Sequence, residues 1–153
     1  MSAWQKRLMK DLTELQTSGF EVLPDEGPEI QMDCFRVVLK GPKDTPYESG
    51  QWQVRFTFSS TFPFTSPSVG FVEHIMHPNI DWASGSVCLD ALNKKWSPVF
   101  TLKHIMDSLL PYLLTYPNAE DPLNREAAAL LQENPEVYTR KVLEATKRHS
   151  MRL

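Results

Sequence analysis

Two stretches of strict two-residue alternation, joined by a turn-rich segment, constrain this chain more tightly than any other feature. In Cys34–Lys40, Phe35, Val37 and Leu39 alternate with Cys34, Arg36 and Val38. In residues 52–58, Trp52, Val54, Phe56 and Phe58 alternate with Gln53, Arg55 and Thr57. A period of two with one apolar face predicts half-buried antiparallel strands. The intervening GPKDTPYESG is dense in turn formers, which suits a meander. Residues 69–72 offer a further strand.

Helical signals bracket that meander. Ser2 with Gln5 three residues later fits a capping box. Trp4, Leu8, Leu12 and Leu15 then form an apolar stripe, as an amphipathic helix requires. Lys6, Arg7 and Lys10 lie off the stripe and make a basic face, which composition alone reads as a solvated helix surface. Near the other end, Leu102, Ile105, Met106, Leu109, Leu110 and Leu113 predict a buried helix. Pro111 conflicts with it, because an interior proline kinks or ends a helix at a cost of about 3 kcal/mol. Asn124 is a candidate cap with Glu126 in the first turn. Asn134-Pro135-Glu136 is a start signal of cap, proline and acid. One helix, a meander, a long loop and trailing helices define an α+β domain, and 153 residues fit a single domain spanning 1–153.

Composition excludes several functions. A net charge of −3 argues against nucleic acid, since binding phosphates needs a basic excess. No apolar run reaches the roughly 20 residues that span a bilayer. The opening MSAWQKRLMKDL is charged throughout and does not read as a signal peptide. Two cysteines cannot form a disulfide framework, so a reducing intracellular compartment is expected. Separated by fifty-four residues and without a Cys-x-x-Cys pair, they are not a zinc ligand set, and no metal is expected.

The chemistry centres on HPNIDWASGSVCLD. Cys88 follows His77 by eleven residues and sits after Ser84-Gly85-Ser86, in a turn that leaves space around it. A free thiol is a few per cent thiolate at neutral pH, and the thiolate is the nucleophile. The competing reading is a buried, inert cysteine, the commoner state for this residue type. His77 suggests a Cys-His dyad, but it is locked before a proline and no cysteine-protease signature accompanies it, so a structural histidine is preferred. The amide of Asn79 can donate to a developing oxyanion or hold the turn through backbone hydrogen bonds. Both roles are compatible.

Together GPKDTPYESG, FPFTSPSVGF, HPNI, GSVCLD, WSP, PNAEDPLN and the helical tail resemble the ubiquitin-conjugating enzymes over about residues 4–149. The resemblance implies that family's fold: an N-terminal helix, a four-stranded antiparallel meander, an active-site loop and C-terminal helices. It implies that Cys88 accepts ubiquitin as a thioester and passes it to a substrate lysine with a ubiquitin ligase. It gives Asn79 the tetrahedral intermediate or its loop, and Asp121 the position beside the incoming lysine. Leu89, Asp90 and Asn118 resemble the rim of the same groove. Lys6, Arg7, Lys10, Phe64, Ser97 and Pro98 fall where the family meets its ligase and its activating enzyme. The implied partners are ubiquitin, the activating enzyme, a RING-type ligase and protein lysines. No cofactor is implied on this chain, ATP being used by the upstream activating enzyme. A monomer in the cytoplasm is implied, with the nucleus left open. HPNID-x-ASG-x-VCLD, the LLPYLLTYPN spacing and PLNREAAA look closest to the histone-ubiquitinating type, although that type carries a long acidic C-terminal tail. A serine that supports non-covalent ubiquitin binding in many members falls, without gaps, at Pro24. Two other readings stay open: a conjugating enzyme for a different ubiquitin-like modifier, and a non-catalytic binding module of the same fold.

Overall fold

A computed structural model describes residues 1–87 and 96–152. The first helix, α1, spans Ala3–Thr17. The Ser2 backbone N–H donates to Gln5 Oε1 at 3.1 Å, the glutamine half of the expected capping box. Leu8, Leu12 and Leu15 are buried and Trp4 packs partly against them, so the stripe is the core-facing side. Lys6 and Lys10 are exposed, whereas Arg7 is half-buried.

The sheet is an antiparallel meander in the order β1-β2-β3-β4-β5. Its strands are β1 Val22–Pro24, β2 Cys34–Lys40, β3 Gln51–Thr57, β4 Ser68–Phe71 and β5 Ser86–Val87. The expected four-stranded meander is thus extended by a fifth strand of two residues. Strand β1 tolerates Pro24 because it lies at the edge, where a missing N–H breaks no ladder bond. The central register pairs Phe35 with Phe56 and Val37 with Val54. Those side chains are fully buried with Trp52, Phe71, Ile105 and Leu110 in one core. Each such side chain contributes roughly 1.5–3 kcal/mol of burial.

The opposite face of the sheet is polar apart from Val38, which is buried although the alternation puts it on this side. Arg36 Nε and Arg55 Nε donate to Asp25 Oδ1 at 2.9 and 2.7 Å. Arg55 first, then Arg36, hold the Asp25 carboxyl down at about 2. Cys34 joins this cluster, its thiol donating to Asp25 Oδ2 at 3.4 Å.

The C-terminal third begins with α2 Leu102–His104, a π-helical turn at Ile105–Leu109 and α3 Leu110–Thr115. The Leu110 N–H reaches back five residues to the Ile105 carbonyl. Pro111 therefore does not end this helix. The register changes just before it, where its missing N–H would otherwise interrupt the ladder. The last two helices are α4 Arg125–Glu133 and α5 Pro135–His149. Asn124 Oδ1 accepts from the Ala127 N–H at 3.0 Å and Asn134 Oδ1 from the Val137 N–H at 3.3 Å. Both expected caps are made.

A tight hairpin connects the buried HPN segment to β5. Ile80 bridges Val87, and Val87 also pairs with Val69 of β4. Asp81 Oδ2 accepts from the Ser84 N–H and hydroxyl at 2.8 and 2.7 Å. Gly85 closes the turn at φ +75°, and a Cβ there would lie 1.9 Å from the Phe71 carbonyl oxygen. The same glycine's carbonyl accepts from the Phe71 N–H at 2.8 Å. We expect Gly85→Ala to destabilise the fold by at least about 2 kcal/mol, because it combines backbone strain with a clash. Urea unfolding monitored by tryptophan fluorescence measures this, and a wild-type midpoint would refute the clash.

Candidate active site

His77, Pro78 and Asn79 are buried together and fasten three parts of the chain. His77 is fully buried and Asn79 is 1% exposed. His77 Nε2 lies 2.8 Å from the Leu113 carbonyl in α3. Its Nδ1 accepts the backbone N–H of Asn79 at 2.9 Å. An N–H donor below and a carbonyl above fix one neutral tautomer, with the proton on Nε2. Burial pushes the imidazole down to about 4. With both nitrogens committed, His77 cannot serve as a base for a nearby thiol. Burial and two hydrogen bonds tie His77 to α3 and to Asn79.

Pro78 contributes its carbonyl, which accepts the N–H groups of Leu123 and Asn124 at 2.8 and 3.0 Å. Asn79 uses both ends of its side chain on one residue. Its Nδ2 donates to the Asn118 carbonyl at 2.8 Å and its Oδ1 accepts the Asn118 N–H at 2.9 Å. The Asn118 Oδ1 then accepts the Glu120 N–H at 2.9 Å. The loop from Asn118 to Asn124 is therefore suspended from the HPN segment at both ends. Asp121 stands exposed in the middle of that loop, at φ +52°. Left-handed backbone is uncommon for a residue with a Cβ, and Asp and Asn tolerate it best. From behind, the Tyr47 hydroxyl donates to the Met76 carbonyl at 2.6 Å and lies 3.2 Å from the Tyr138 hydroxyl. Tyr47 belongs to the PYESG turn, so that motif supports the site from within the core.

A second group of predicted residues lies around Arg7 of α1 and the two loops it contacts. Phe64 is 78% exposed, in the loop after Pro63. Ser97 and Pro98 lie in the loop before α2, beside Val99, which is also 78% exposed. Trp96 Nε1 donates to the Pro63 carbonyl at 2.7 Å and ties these two loops together. Arg7 donates from Nε to Asp11 Oδ1 at 3.1 Å and from its terminal nitrogen to the Phe100 carbonyl at 2.9 Å. Of the basic face, then, Lys6 and Lys10 are solvated while Arg7 is engaged inside the protein.

Asn79 is bonded to Asn118 at the start of the loop that carries Asp121, and Arg7 reaches the loops that carry Phe64 and Ser97-Pro98, while Lys6 and Lys10 stand exposed on the same helix. Cys88, Leu89 and Asp90 lie outside the described residues. Sequence reasoning missed the carbonyl of Pro78, the hydroxyl of Tyr47, the indole of Trp96 and the exposure of Val99. Backbone carbonyls carry no sequence signal, but an aromatic residue with a polar handle inside a motif is a usable one.

This architecture is that of an enzyme class built on a meander and a fastened active-site strip. The chain belongs to the ubiquitin-conjugating enzyme family, whose family model matches residues 5–146. It is 44% identical to ubiquitin-conjugating enzyme E2 5 of Arabidopsis thaliana, across 98% of this chain and 80% of that protein. It is 43% identical to ubiquitin-conjugating enzyme E2-24 kDa of Saccharomyces cerevisiae, across 94% of this chain and 65% of that protein. Among solved structures, the E2 domain of a Toxoplasma gondii ubiquitin conjugating enzyme superposes with a TM-score of 0.84 at 30% identity, covering 96% of this chain and 99% of that one.

The buried imidazole makes stability pH-dependent. Unfolded, it takes up a proton as pH falls through 6.5, whereas the folded state resists until about 4. Stability is full above 6.5 and is lost between 6.5 and 4, by about 3 kcal/mol at about 1.4 kcal/mol for each pH unit of that gap. His149, lowered by burial, then by His74 and Arg148, acts in the same direction. Asp11, raised by burial, acts oppositely above 3.8. Urea titrations across this range should show the loss in the wild type. In His77→Gln, which is expected to be less stable at pH 7, the slope should be shallower. An unchanged slope would mean that His77 does not carry it.

Proposed function

We propose that Cys88 is the acceptor of ubiquitin and that Asn79 and Asp121 serve its discharge. In loading, the Cys88 thiolate attacks the carbonyl carbon of ubiquitin's C-terminal glycine, held as a thioester on the activating enzyme. The new carbon–sulfur bond forms and the activating enzyme's thiolate leaves. In discharge, a lysine amine attacks the same carbon, the tetrahedral intermediate collapses, and the Cys88 thiolate departs. The amine must lose a proton, and a free lysine near 10.4 is almost wholly protonated at pH 7. Desolvation at the thioester would lower that value, and the Asp121 carboxylate would orient the amine.

The observation that carries this reading is the pair of hydrogen bonds between Asn79 and Asn118. It holds the loop bearing Asp121 against the hairpin that ends at Val87, one peptide bond before Cys88. Asn79 is thereby a brace. Its amide has a second N–H, and only one is engaged among the described residues, so an oxyanion role is compatible with the bracing. In this reading Leu89, Asp90 and Asn118 border the groove, and Lys6, Arg7, Lys10, Phe64, Ser97 and Pro98 serve the activating enzyme and a RING-type ligase. The protein acts as a monomer in the cytoplasm, with the nucleus open, and carries no cofactor of its own. The resemblance to the histone-ubiquitinating type extends this reading to histone substrates, and transfer to histones in nucleosomes tests it.

Incubation with activating enzyme, ATP and ubiquitin should give an adduct that thiol reductant removes. Cys88→Ser should leave a reductant-stable ester and Cys88→Ala no adduct. Undiminished charging of Cys88→Ala would transfer the role to Cys34 and overturn the assignment. Cys34 is held by Asp25 and Thr57 on the polar face.

For Asp121 the left-handed backbone selects the variants. Asp121→Asn keeps a residue suited to φ +52° and removes only the charge. It should load normally but discharge to free lysine at least about tenfold more slowly near pH 7, with partial rescue at higher pH. Equal loss of loading and discharge would contradict the orienting role.

A further inference from the structure

Arg7 lies on α1 beside the two loops read as the ligase surface, and its side chain is directed inward. Three contacts absorb it. Its Nε donates to Asp11, which is 2% exposed. Its terminal nitrogen donates to the carbonyl of Phe100. Its guanidinium carbon stands 5.7 Å from the centre of the buried Phe62 ring. Phe62 and Phe100 belong to the two loops whose tips are Phe64 and Ser97-Pro98-Val99. Trp96 closes the arrangement by donating to the Pro63 carbonyl at 2.7 Å, while its ring meets Phe100 edge-on at 5.5 Å.

Each tip is consequently gripped close to its base. Phe64 follows Phe62, beneath Arg7, and Pro63, bonded to Trp96. Ser97-Pro98-Val99 is bounded by Trp96 on one side and Phe100 on the other. Within the loops, the Phe64 N–H donates to the Thr61 carbonyl at 2.8 Å and the Phe100 N–H to the Ser97 carbonyl at 3.0 Å. The anchor is Asp11. Its Oδ1 takes Arg7, and the backbone N–H of Leu102 also stabilises the carboxylate. A carboxylate held in this way is tolerated because the guanidinium beside it supplies most of the compensation, with the Leu102 backbone adding to it.

We propose that Arg7 is a positioning residue, acting with Trp96 and anchored by Asp11, which fixes the separation of the Phe64 and Ser97–Val99 tips for the ligase. Lys6 and Lys10, exposed on the same helix, are the charges that face the partner. The inference rests on the reading of these loops as the ligase surface. It differs from that reading in taking the Arg7 side chain as internal rather than as a contact. Guanidinium geometry is what the arrangement needs: two directed donors and a flat face toward a ring. A lysine ammonium carries the same charge but cannot reproduce that fork.

The test uses the full chain charged with ubiquitin and a RING domain chosen because it stimulates discharge by the wild type. Discharge to lysine is measured with increasing RING domain, and separately without it. Trp96→Phe keeps a ring and removes the indole donor. It should raise the KM for the RING domain about fivefold, the factor for one net hydrogen bond, and leave RING-free discharge unchanged. Arg7→Lys should raise that KM by a similar factor despite conserving charge. The double variant should lose less than the product of the single effects, since both changes loosen the same pair of loops. Thermal melts verify that each variant is folded. Wild-type KM in Arg7→Lys alongside a raised KM in Arg7→Gln would mean that Arg7 meets the ligase through its charge, and the proposal falls. An unchanged KM in Trp96→Phe, or strictly multiplicative effects, would also overturn it. Phe64→Ala is the separate control. If its KM is unchanged, the ligase-surface reading itself fails, whatever Arg7 and Trp96 do.

Discussion

The neutral imidazole of His77 sets the positions of three segments that are distant in sequence. Its Nε2 holds the end of α3 and its Nδ1 holds the Asn79 N–H. The peptide that follows presents the Pro78 carbonyl to Leu123 and Asn124 and the Asn79 amide to Asn118. These bonds are between neutral groups, and the two of His77 are buried, where an unmade bond would cost more than a made one gains. The loop bearing Asp121 therefore has little choice of position. A charged imidazole would lose the acceptor at Nδ1, and with it the N–H that orients Asn79.

Sequence periodicity carried the core well. Phe35, Val37, Leu39, Trp52, Val54 and Phe56 are buried as their alternation implies. The caps at Ser2, Asn124 and Asn134 are local chemistry and were legible for that reason. The fifth strand was not legible, because two residues cannot display a period. The suspension of the Asp121 loop was also hidden, since it depends on a backbone carbonyl of Pro78 and on which of its neighbours Asn79 would meet. Asn79 had two readings from sequence, and its two hydrogen bonds to Asn118 give the bracing one a definite partner.

Charge was the least legible property. Lys6, Arg7 and Lys10 are alike on a helical wheel, but only Arg7 turns inward, to a buried carboxylate four residues away. On the outer sheet face, Arg36 and Arg55 stand opposite one another in register. Two like charges so placed would repel, and the shared Asp25 carboxylate converts the pair into a bridged unit. In both places arginine organises backbone and carboxylate together, which its fork permits. Residue type thus told more than net charge did.

The π turn at Ile105–Leu109 has a further consequence for the length of the chain. A turn closed by a five-residue step contains one residue more than an α turn. A regular helix would turn Leu109 to the face of Leu102, Ile105 and Met106, whereas here Leu109 is only half-buried and Leu114 joins Leu110 and Leu113 in the core. The extra residue also delivers the Leu113 carbonyl to His77 and, past the helix end, Asn118 to Asn79. The helix therefore works as a spacer whose count of residues matters more than their identity at the exposed positions Asp107 and Ser108. Adding a residue between Leu110 and Thr115 would rotate everything beyond it by about 100° and slide Asn118 past its bracket. The loop bearing Asp121 is matched to the core by the length of this helix.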